Sequence, residues 1–281
     1  MKVTPSQIFV FLCLAPWAQA AITVSDASAF WSPLPGNYDY LSDQQTGQTQ
    51  GDIVGSATDP GFFIAFNNNG AASSTDGTLG FRVRFDNFGG NTNNPSFDRV
   101  AWVGIDANID GSIDAFVGLN RQGNNSEIGI YLPGNDLNTS PSTTSIASTP
   151  YVTYALTSQN YNYRAVDYVT DGGTINDLTP SSSGDPDYYA SFMIPFADLV
   201  TFLGTKSIAV NDTTPLRYIV ATSTQTNSLN QDLGGVNGSI NSSTSWQDLN
   251  AFTPSGAVPE PSSALSALSS LAAFLLLRRR R

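Results

Sequence analysis

The chain has 281 residues, of which 40% are hydrophobic and only 12% are charged, enough apolar material for a large core. Its formal net charge is −11, and residues 21–256 carry seven basic against 22 acidic side chains, a charge of −15 that argues against nucleic acid as a partner. There is no histidine, and the one cysteine, Cys13, lies near the N-terminus, so residues 21–281 cannot form a Cys/His zinc site or a Ser-His-Asp or Cys-His catalytic device.

Residues 1–20 have the pattern of a secretory signal peptide. Lys2 supplies a positive start, and residues 8–15 are an apolar run. Ala18 and Ala20 form the small-x-small pattern at which signal peptides are cleaved. Pro16 interrupts the segment, which disfavours the alternative of a buried N-terminal helix. We therefore expect the chain to be exported.

Residues 21–256 are predicted to form a mainly β body. The clearest strand is Thr78–Asp86, in which apolar residues alternate with Gly80, Arg82, Arg84 and Asp86, so that one face should lie on the core and the other in water. Further predicted strands cover residues 62–66, 99–105, 113–119, 128–132, 151–156, 161–169, 188–194 and 216–222. Many strands joined by short polar turns predict an antiparallel β-sandwich of jelly-roll type.

A nine-residue loop between two of these strands has the spacing of a calcium site. Oxygen-bearing side chains recur at its positions 1, 3 and 5, the glycine at position 6 permits a sharp turn, position 7 offers a carbonyl, and position 9 is acidic. The predicted ligands are Asp106, Asn108, Asp110, Ser112 and Asp114. The loop resembles the calcium loops of EF-hands, dockerins and thrombospondin type 3 repeats, which implies bound Ca²⁺.

The loop departs from the EF-hand pattern at position 12, where Val117 stands in place of a bidentate glutamate. Strands instead of helices are predicted on both sides of it. Calcium would then need a carboxylate from elsewhere or would bind weakly. The alternative is a plain hairpin turn that favours Asn, Asp and Gly for their backbone preferences alone.

One short helix is predicted after Pro195. Phe196, Leu199, Val200 and Leu203 recur at helical spacing, and Gly204 is the expected stop.

Two later segments and a set of aromatic residues complete the body. The polar segment from Thr222 to Asp232 is either a recognition loop or, preferably, a surface loop that bonds to itself. Residues 244–256 are predicted to be a short linker. The aromatic candidates for stacking on sugar rings are Trp31, Tyr38, Tyr40, Tyr161, Tyr163 and Trp246. Tyr161 and Tyr163 share a strand face, so a role in the core is preferred for them.

Residues 257–281 form a tripartite tail. Pro259, Glu260 and Pro261 precede an apolar run at 264–277, and four arginines follow. A 14-residue helix is about 21 Å long, short of the ~30 Å hydrocarbon core, and the arginines favour the cytoplasmic side. The two prolines keep the tripeptide extended, as a protease requires. The tail resembles the PEP-CTERM sorting signal of Gram-negative bacteria that make exopolysaccharide. This resemblance implies a transmembrane-type helix, transient anchoring in the inner membrane and processing by an exosortase after secretion.

The sequence therefore predicts a non-enzymatic protein of the cell surface or extracellular matrix, calcium-stabilised and able to bind extracellular polysaccharide in a biofilm. One alternative is a secreted polysaccharide hydrolase that uses two Asp carboxylates, since Asp is plentiful. Another is a structural spacer without a ligand. The body also resembles carbohydrate-binding modules at the level of fold, but fold alone does not define function.

Overall fold

The structure is a computed structural model that describes residues 24, 30–34, 39, 49–68, 73–91, 93–134, 144–179, 184–229, 231–236 and 243–258. The predicted signal peptide with Ala18 and Ala20, the Pro259–Pro261 motif and the apolar run at 264–277 lie outside the described residues. Within the described ranges, no helix combines the length and the apolar character that crossing a membrane requires.

The described chain is mainly β, as predicted, and all of its strand pairs are antiparallel. In chain order the strands are β1 (Ser32–Pro33), β2 (Phe62–Asn67), β3 (Thr78–Phe85), β4 (Gly89–Asn91), β5 (Asn94–Ser96), β6 (Val100–Asp106), β7 (Ala115–Asn120), β8 (Glu127–Tyr131), β9 (Val152–Ala155), β10 (Tyr161–Ala165), β11 (Tyr188–Pro195) and β12 (Arg217–Ser223). The helices are a 3₁₀ turn (Thr49–Gly51), α1 (Tyr168–Asp171) and α2 (Phe196–Thr205). The strands form two five-stranded sheets, in the orders β1-β2-β3-β11-β10 and β12-β6-β7-β8-β9, and one two-stranded sheet, β4-β5.

The strand predicted over 161–169 is too long. The strand β10 ends at Ala165 because Asp167 caps a new helix, α1, by accepting a hydrogen bond from the backbone N–H of Val169 (3.2 Å). Gly172 ends that helix in a left-handed conformation with φ 81°. The prediction of a single helix is therefore wrong, since the described residues contain two α-helices.

The helix α2 forms where it was predicted but does not stop at Gly204. It continues to Thr205, and the residue that turns left-handed is Ser207, with φ 63°. The N–H of Ile208 then donates to the carbonyl of Leu203 (3.1 Å), which bonds one of the last helical carbonyls. Phe196, Leu199 and Leu203 are buried, as the helical spacing predicts.

The predicted alternation in β3 is correct for the core face and wrong for the other face. Phe81 and Phe85 lie in the main core, whereas Arg82 and Arg84, which were expected in water, are each only 1% exposed. A second buried layer covers them, and Trp31 is part of it: the Arg82 guanidinium lies 4.3 Å from the centre of its ring. A strand in which apolar and polar residues alternate therefore need not have a solvent-exposed face when other segments pack over it.

The main hydrophobic cluster draws on both five-stranded sheets and on α2. Phe62 and Phe81 come from one sheet and Tyr218 from the other, with ring centroids 6.4 and 5.9 Å apart. Fully burying a side chain of this kind contributes about 1.5–3 kcal/mol to stability.

Residues 244–256 are not a linker. Trp246 is fully buried, and the N–H of Thr253 donates to the carbonyl of Tyr218 (2.8 Å). Gly256 forms a β-bridge with Leu216. Even Val258, assigned from sequence to the sorting signal, is buried in the main cluster. The body therefore packs with its C-terminal segment up to the last described residue.

Candidate cation loop, adjoining groove and acidic cluster

The predicted calcium loop joins β6 to β7 as a hairpin connection. Asp106 is the last residue of β6, and the N–H of Asp114 donates to the carbonyl of Ile105 (2.8 Å) at the other end of the loop. Ile109 and Gly111 adopt left-handed conformations, with φ 61° and 91°. An isoleucine in this region is strained, so the tight turn depends on the contacts that hold the loop.

Asp106 is fully buried, and three groups surround its carboxylate. Its Oδ2 accepts hydrogen bonds from the Arg217 guanidinium, at 2.5 Å from Nη2 and 3.1 Å from Nε, and from the N–H of Gly111 at 2.9 Å. Its Oδ1 accepts only a longer bond, 3.2 Å, from the N–H of Asp110. One oxygen is therefore saturated, and Oδ1 is the one that could turn towards a cation.

The exposed rim of the loop is also hydrogen-bonded internally. Asp110 Oδ2 accepts from the Asn108 amide (2.9 Å), and Asp110 Oδ1 accepts from the N–H of Ser112 (2.8 Å). Asn108 Oδ1 accepts from the N–H of Asp110 (3.1 Å). These turn-type bonds account for the choice of short polar side chains without a metal.

Asp114 faces a different set of partners. Its Oδ2 accepts from the N–H of Ala107 (2.8 Å), while the Lys206 ammonium donates to its carbonyl (2.7 Å) and lies 3.9 Å from Oδ1. Burial raises the pKa of Asp114, and the hydrogen bond from Ala107 and the charge of Lys206 act in the opposite direction. Asp106, Asp110 and Asp114 do not bring one oxygen each within 4.8 Å of one another. The loop fits calcium in sequence and turn geometry, and its oxygens would have to exchange hydrogen bonds for the ion.

An open groove of about 490 Å³ adjoins the loop. Ile109 of the loop lines it, together with Arg217, Gln247, Asn250 and Phe252. The Arg217 guanidinium lies 4.4 Å from the Phe252 ring centre and also holds Asp106, so one side chain joins the groove to the loop. Amides, a guanidinium and an aromatic edge are groups that can bind a sugar by hydrogen bonds and apolar contact.

Most of the aromatic candidates for sugar stacking that the structure describes lie inside the protein. Trp31 and Trp246 are buried, so the prediction that they stack on sugars at the surface is wrong. Tyr163 is half-buried and stacks on Tyr188 at 5.1 Å, which confirms the preferred role in the core, and Tyr161 packs against the same cluster. The other two candidates, Tyr38 and Tyr40, lie outside the described residues.

The polar segment 222–232 bonds to itself, as preferred: Gln225 and Asn227 in its middle are exposed, whereas its two ends, at Thr222 and Asp232, are buried. Thr222 Oγ1 donates to the carbonyl of Gly51 (2.5 Å) and accepts from the N–H of Asp232 (3.1 Å). Asp232 Oδ2 accepts from the N–H of Ile53 (2.7 Å). The segment thus fastens the chain around residue 52 to the end of β12.

Sequence reasoning missed an acidic cluster at one end of β3. Asp86 follows that strand, Asp187 precedes β11, and Asp177 lies in the loop between α1 and β11. One carboxylate oxygen from each lies within 4.8 Å of the others, and these three are the group within the described part of the chain that meets this spacing. The only sequence signal is an acid at each strand end, and it becomes informative once β3 is known to pair with β11.

In comparisons with known proteins, no family model, curated protein or solved structure matches the chain. The function is therefore inferred from the residues of this chain.

Proposed function

We propose that the chain is an exported, non-enzymatic protein of the cell surface or extracellular matrix, released from the inner membrane by an exosortase that acts near Pro259-Glu260-Pro261. The observation that carries this proposal is the order of the tail: the rigid acidic tripeptide, then an apolar run too short for the bilayer, then four arginines. Export is further supported by the N-terminal segment, in which Ala18 and Ala20 follow an apolar run.

The sorting proposal is tested by replacing Pro259, Glu260 and Pro261 with alanine in a host that has an exosortase. We expect the precursor to stay uncleaved and membrane-held. Ser262→Ala with Ser263→Ala is the matched control, because it alters adjacent residues and leaves the tripeptide intact. Mass spectrometry of the C-terminus reports the cleavage. Normal release of the triple variant would contradict the proposal.

We further propose that the two five-stranded sheets face each other as a sandwich of jelly-roll type, which would present the loops at its ends for binding. The contacts of Tyr218 with Phe62 and Phe81 support this arrangement, because Tyr218 belongs to one sheet, Phe62 and Phe81 belong to the other, and all three share one core.

Calcium at the Asp106–Asp114 loop is the proposed stabilising ligand. The left-handed Gly111 and the lightly bonded Oδ1 of Asp106 support it. Asp106→Ala combined with Asp110→Ala should bind one calcium ion fewer per chain than the wild type in equilibrium dialysis. Asp76→Ala is the control, since Asp76 is exposed and, among the described residues, its carboxylate bonds to the adjacent Gly77 N–H. An unchanged number of bound ions would remove the loop as a site.

The groove beside the loop is the proposed polysaccharide site. Gln247 and Asn250 supply amides, and the Phe252 ring supplies an apolar surface. On a glycan array, Gln247→Ala and Phe252→Ala should reduce binding to any glycan that the wild type retains. Tyr151→Ala, which removes an exposed ring that lies against Phe202, is the control. If the wild type binds no glycan with or without calcium, the reading as a ligand-free structural spacer is preferred.

A hydrolase that uses two Asp carboxylates is the less favoured function. The closely spaced carboxylates of Asp86 and Asp187 are 7% and 0% exposed, which leaves a polysaccharide no approach to them. Release of reducing sugars from the host exopolysaccharide by the purified protein would reverse this preference.

A further inference from the structure

We propose that Asp86, Asp177 and Asp187 form a binding site for a divalent cation, with calcium as the ion that fits best. This site is separate from the loop at Asp106–Asp114 and does not depend on it. Two parts of the chain that are distant in sequence, the end of β3 and the segment that leads into β11, meet here at one end of this strand pair.

Strand pairing places two of the three ligands opposite each other. Phe85 of β3 is paired with Tyr188 of β11, so Asp86 and Asp187 occupy the next position of the same antiparallel register. The backbone of Asp86 is fixed there by a hydrogen bond from its N–H to the carbonyl of Asp52 (3.1 Å).

The third ligand is held in place by its own neighbours. The N–H of Asp187 donates to the carbonyl of Asn176 (2.9 Å), and the N–H of Leu178 donates to Asp187 Oδ2 (3.1 Å). Asp177 thus sits between two residues that both bond to Asp187. Arg84 adds a bond to the carbonyl of Ile175 (3.0 Å), which anchors the start of this loop.

The oxygens that would bind the ion lack partners. Asp86, Asp177 and Asp187 each have a buried Oδ1 without a hydrogen bond. A buried carboxylate oxygen normally finds a donor, because leaving it unpaired is unfavourable by about 1–3 kcal/mol or more. Thr179, whose N–H bonds to Asp177, also has a buried hydroxyl without a partner. Four such oxygens, three of them on carboxylates, favour the binding of a cation here.

The local charge leads to the same conclusion. Arg84 is the cation paired with this cluster among the described residues: its Nε donates to Asp187 Oδ2 at 2.6 Å. The same guanidinium lies 3.7 Å from Asp59, so it cannot neutralise three carboxylates. Arg84 bonds to Oδ2 of Asp187 and leaves Oδ1 for the ion. Residues that hydrogen-bond to metal ligands orient them in the same way.

The ligand set favours calcium among the hard divalent cations. All the candidate atoms are oxygens, and oxygens within 4.8 Å of one another suit an ion with ligands at about 2.3–2.6 Å. Magnesium is usually held by one or two carboxylates and keeps most of its water, whereas calcium accepts more. Asp177 is half-buried, so water can complete the coordination from its side.

The test uses the full-length chain in mild detergent, stripped with EGTA, with Asp106→Ala and Asp110→Ala already present to remove the loop. Calcium chloride is added in a calorimetric titration and in thermal unfolding. We expect one ion per chain and, at a calcium concentration about 100 times the Kd, a rise in Tm of roughly 5–10 °C. Asp177→Asn should weaken binding by about 10-fold or more.

Asp185→Asn is the matched control, because it makes the same charge change in the same loop and Asp185 contributes no oxygen to the group. It should keep the affinity within about 2-fold, because Asp185 is not a ligand and acts on the site only through its charge. The absence of heat and of a Tm shift with calcium, magnesium or manganese would overturn the proposal, as would undiminished binding in Asp177→Asn. Since the loop is removed from the start, failure of this site is distinguishable from failure of the loop.

Discussion

The two acidic regions of this molecule differ in how they are built. The loop from Asp106 to Asp114 is contiguous in sequence, and nearly all of its carboxylate oxygens accept hydrogen bonds from nearby groups. The cluster of Asp86, Asp177 and Asp187 is assembled from two distant parts of the chain, and each of its members has a buried oxygen without a partner. The difference shows that a ligand-like spacing in sequence and a set of available ligand oxygens are separate properties.

The reason lies in where the backbone donors are. In a tight turn the N–H groups are not used by a sheet, so short side chains such as Asp110 bond to them directly. At the end of the β3–β11 pair, the N–H groups of Asp86 and Asp187 are already bonded to the carbonyls of Asp52 and Asn176. The carboxylates there meet few donors, and the Arg84 guanidinium is divided between Asp187 and Asp59.

The largest expected effect on stability comes from replacing the arginine of the cluster, Arg84, and it should exceed the effect of replacing Arg217 at the loop. Arg84→Gln should lower the free energy of unfolding by about 3–5 kcal/mol, because it leaves buried carboxylates without their counter-charge. Arg217→Gln is the comparison at the loop, and its smaller effect is expected because the Arg217 side chain is 15% exposed and water can replace it. Urea unfolding in EGTA measures both. Equal losses of unfolding free energy would mean that the two regions depend equally on their arginine side chains.

The next effect concerns the saturated carboxylate of the loop. Asp106→Asn should destabilise the EGTA-treated protein by about 1.5–3 kcal/mol, the range for hydrogen bonds to charged groups, because it weakens the bonds to Arg217 and Gly111. Asp110→Asn serves as the control, since its side chain is exposed. A neutral Asp106→Asn would show that its hydrogen bonds contribute little.

At the cluster, replacing an aspartate with asparagine is expected to raise the stability of the calcium-free protein instead of lowering it. Burial, followed by the charge of Asp177, raises the pKa of Asp86 to about 6, so the charged form is unfavourable in the fold at pH 7. Asp86→Asn should therefore stabilise the EGTA-treated protein by about 1 kcal/mol after allowance for screening. Added calcium should reverse the order, with the wild type now the more stable. Thermal unfolding with and without the ion decides it, and a destabilised variant in EGTA would contradict this account.

Asp171, whose two carboxylate oxygens both accept hydrogen bonds from Arg164, provides a reference through the pH dependence of its contribution to stability. Burial raises the pKa of Asp171, but hydrogen bonds and charge from Arg164 and Arg82 outweigh it, and the pKa lies below its usual value. A lowered folded pKa gives stability that is present above the unfolded pKa of about 3.9 and is lost as the pH falls through the folded one. The stability gap between the wild type and Asp171→Asn should therefore narrow below about pH 4. A gap that stays constant from pH 6 to pH 3 would show that Asp171 is not coupled to its arginines.

Much of the β body was predictable because its signals are local. The alternation in Thr78–Asp86 identified a strand and its core face, and the spacing after Pro195 identified α2. The end of β10 was missed because Asp167 caps a four-residue helix that is too short to show a periodic pattern. The turn at Asp106–Asp114 was recognised for the same local reason, since both its glycine and its short polar side chains serve the backbone of that turn.

The sequence by itself determined where most of the longer strands lie, where the acidic turn lies and that no His or Cys chemistry is open to residues 21–281, because these depend on residue type and near neighbours. Only the tertiary structure decided that Arg82 and Arg84 are buried, that Trp246 belongs to the core, and that Asp86, Asp177 and Asp187 meet. The physical reason is that burial and charge proximity depend on which strands pair and what packs over them. Residues about 100 positions apart in the chain therefore come together at one end of the β3–β11 pair, and no local pattern in the sequence shows that they meet.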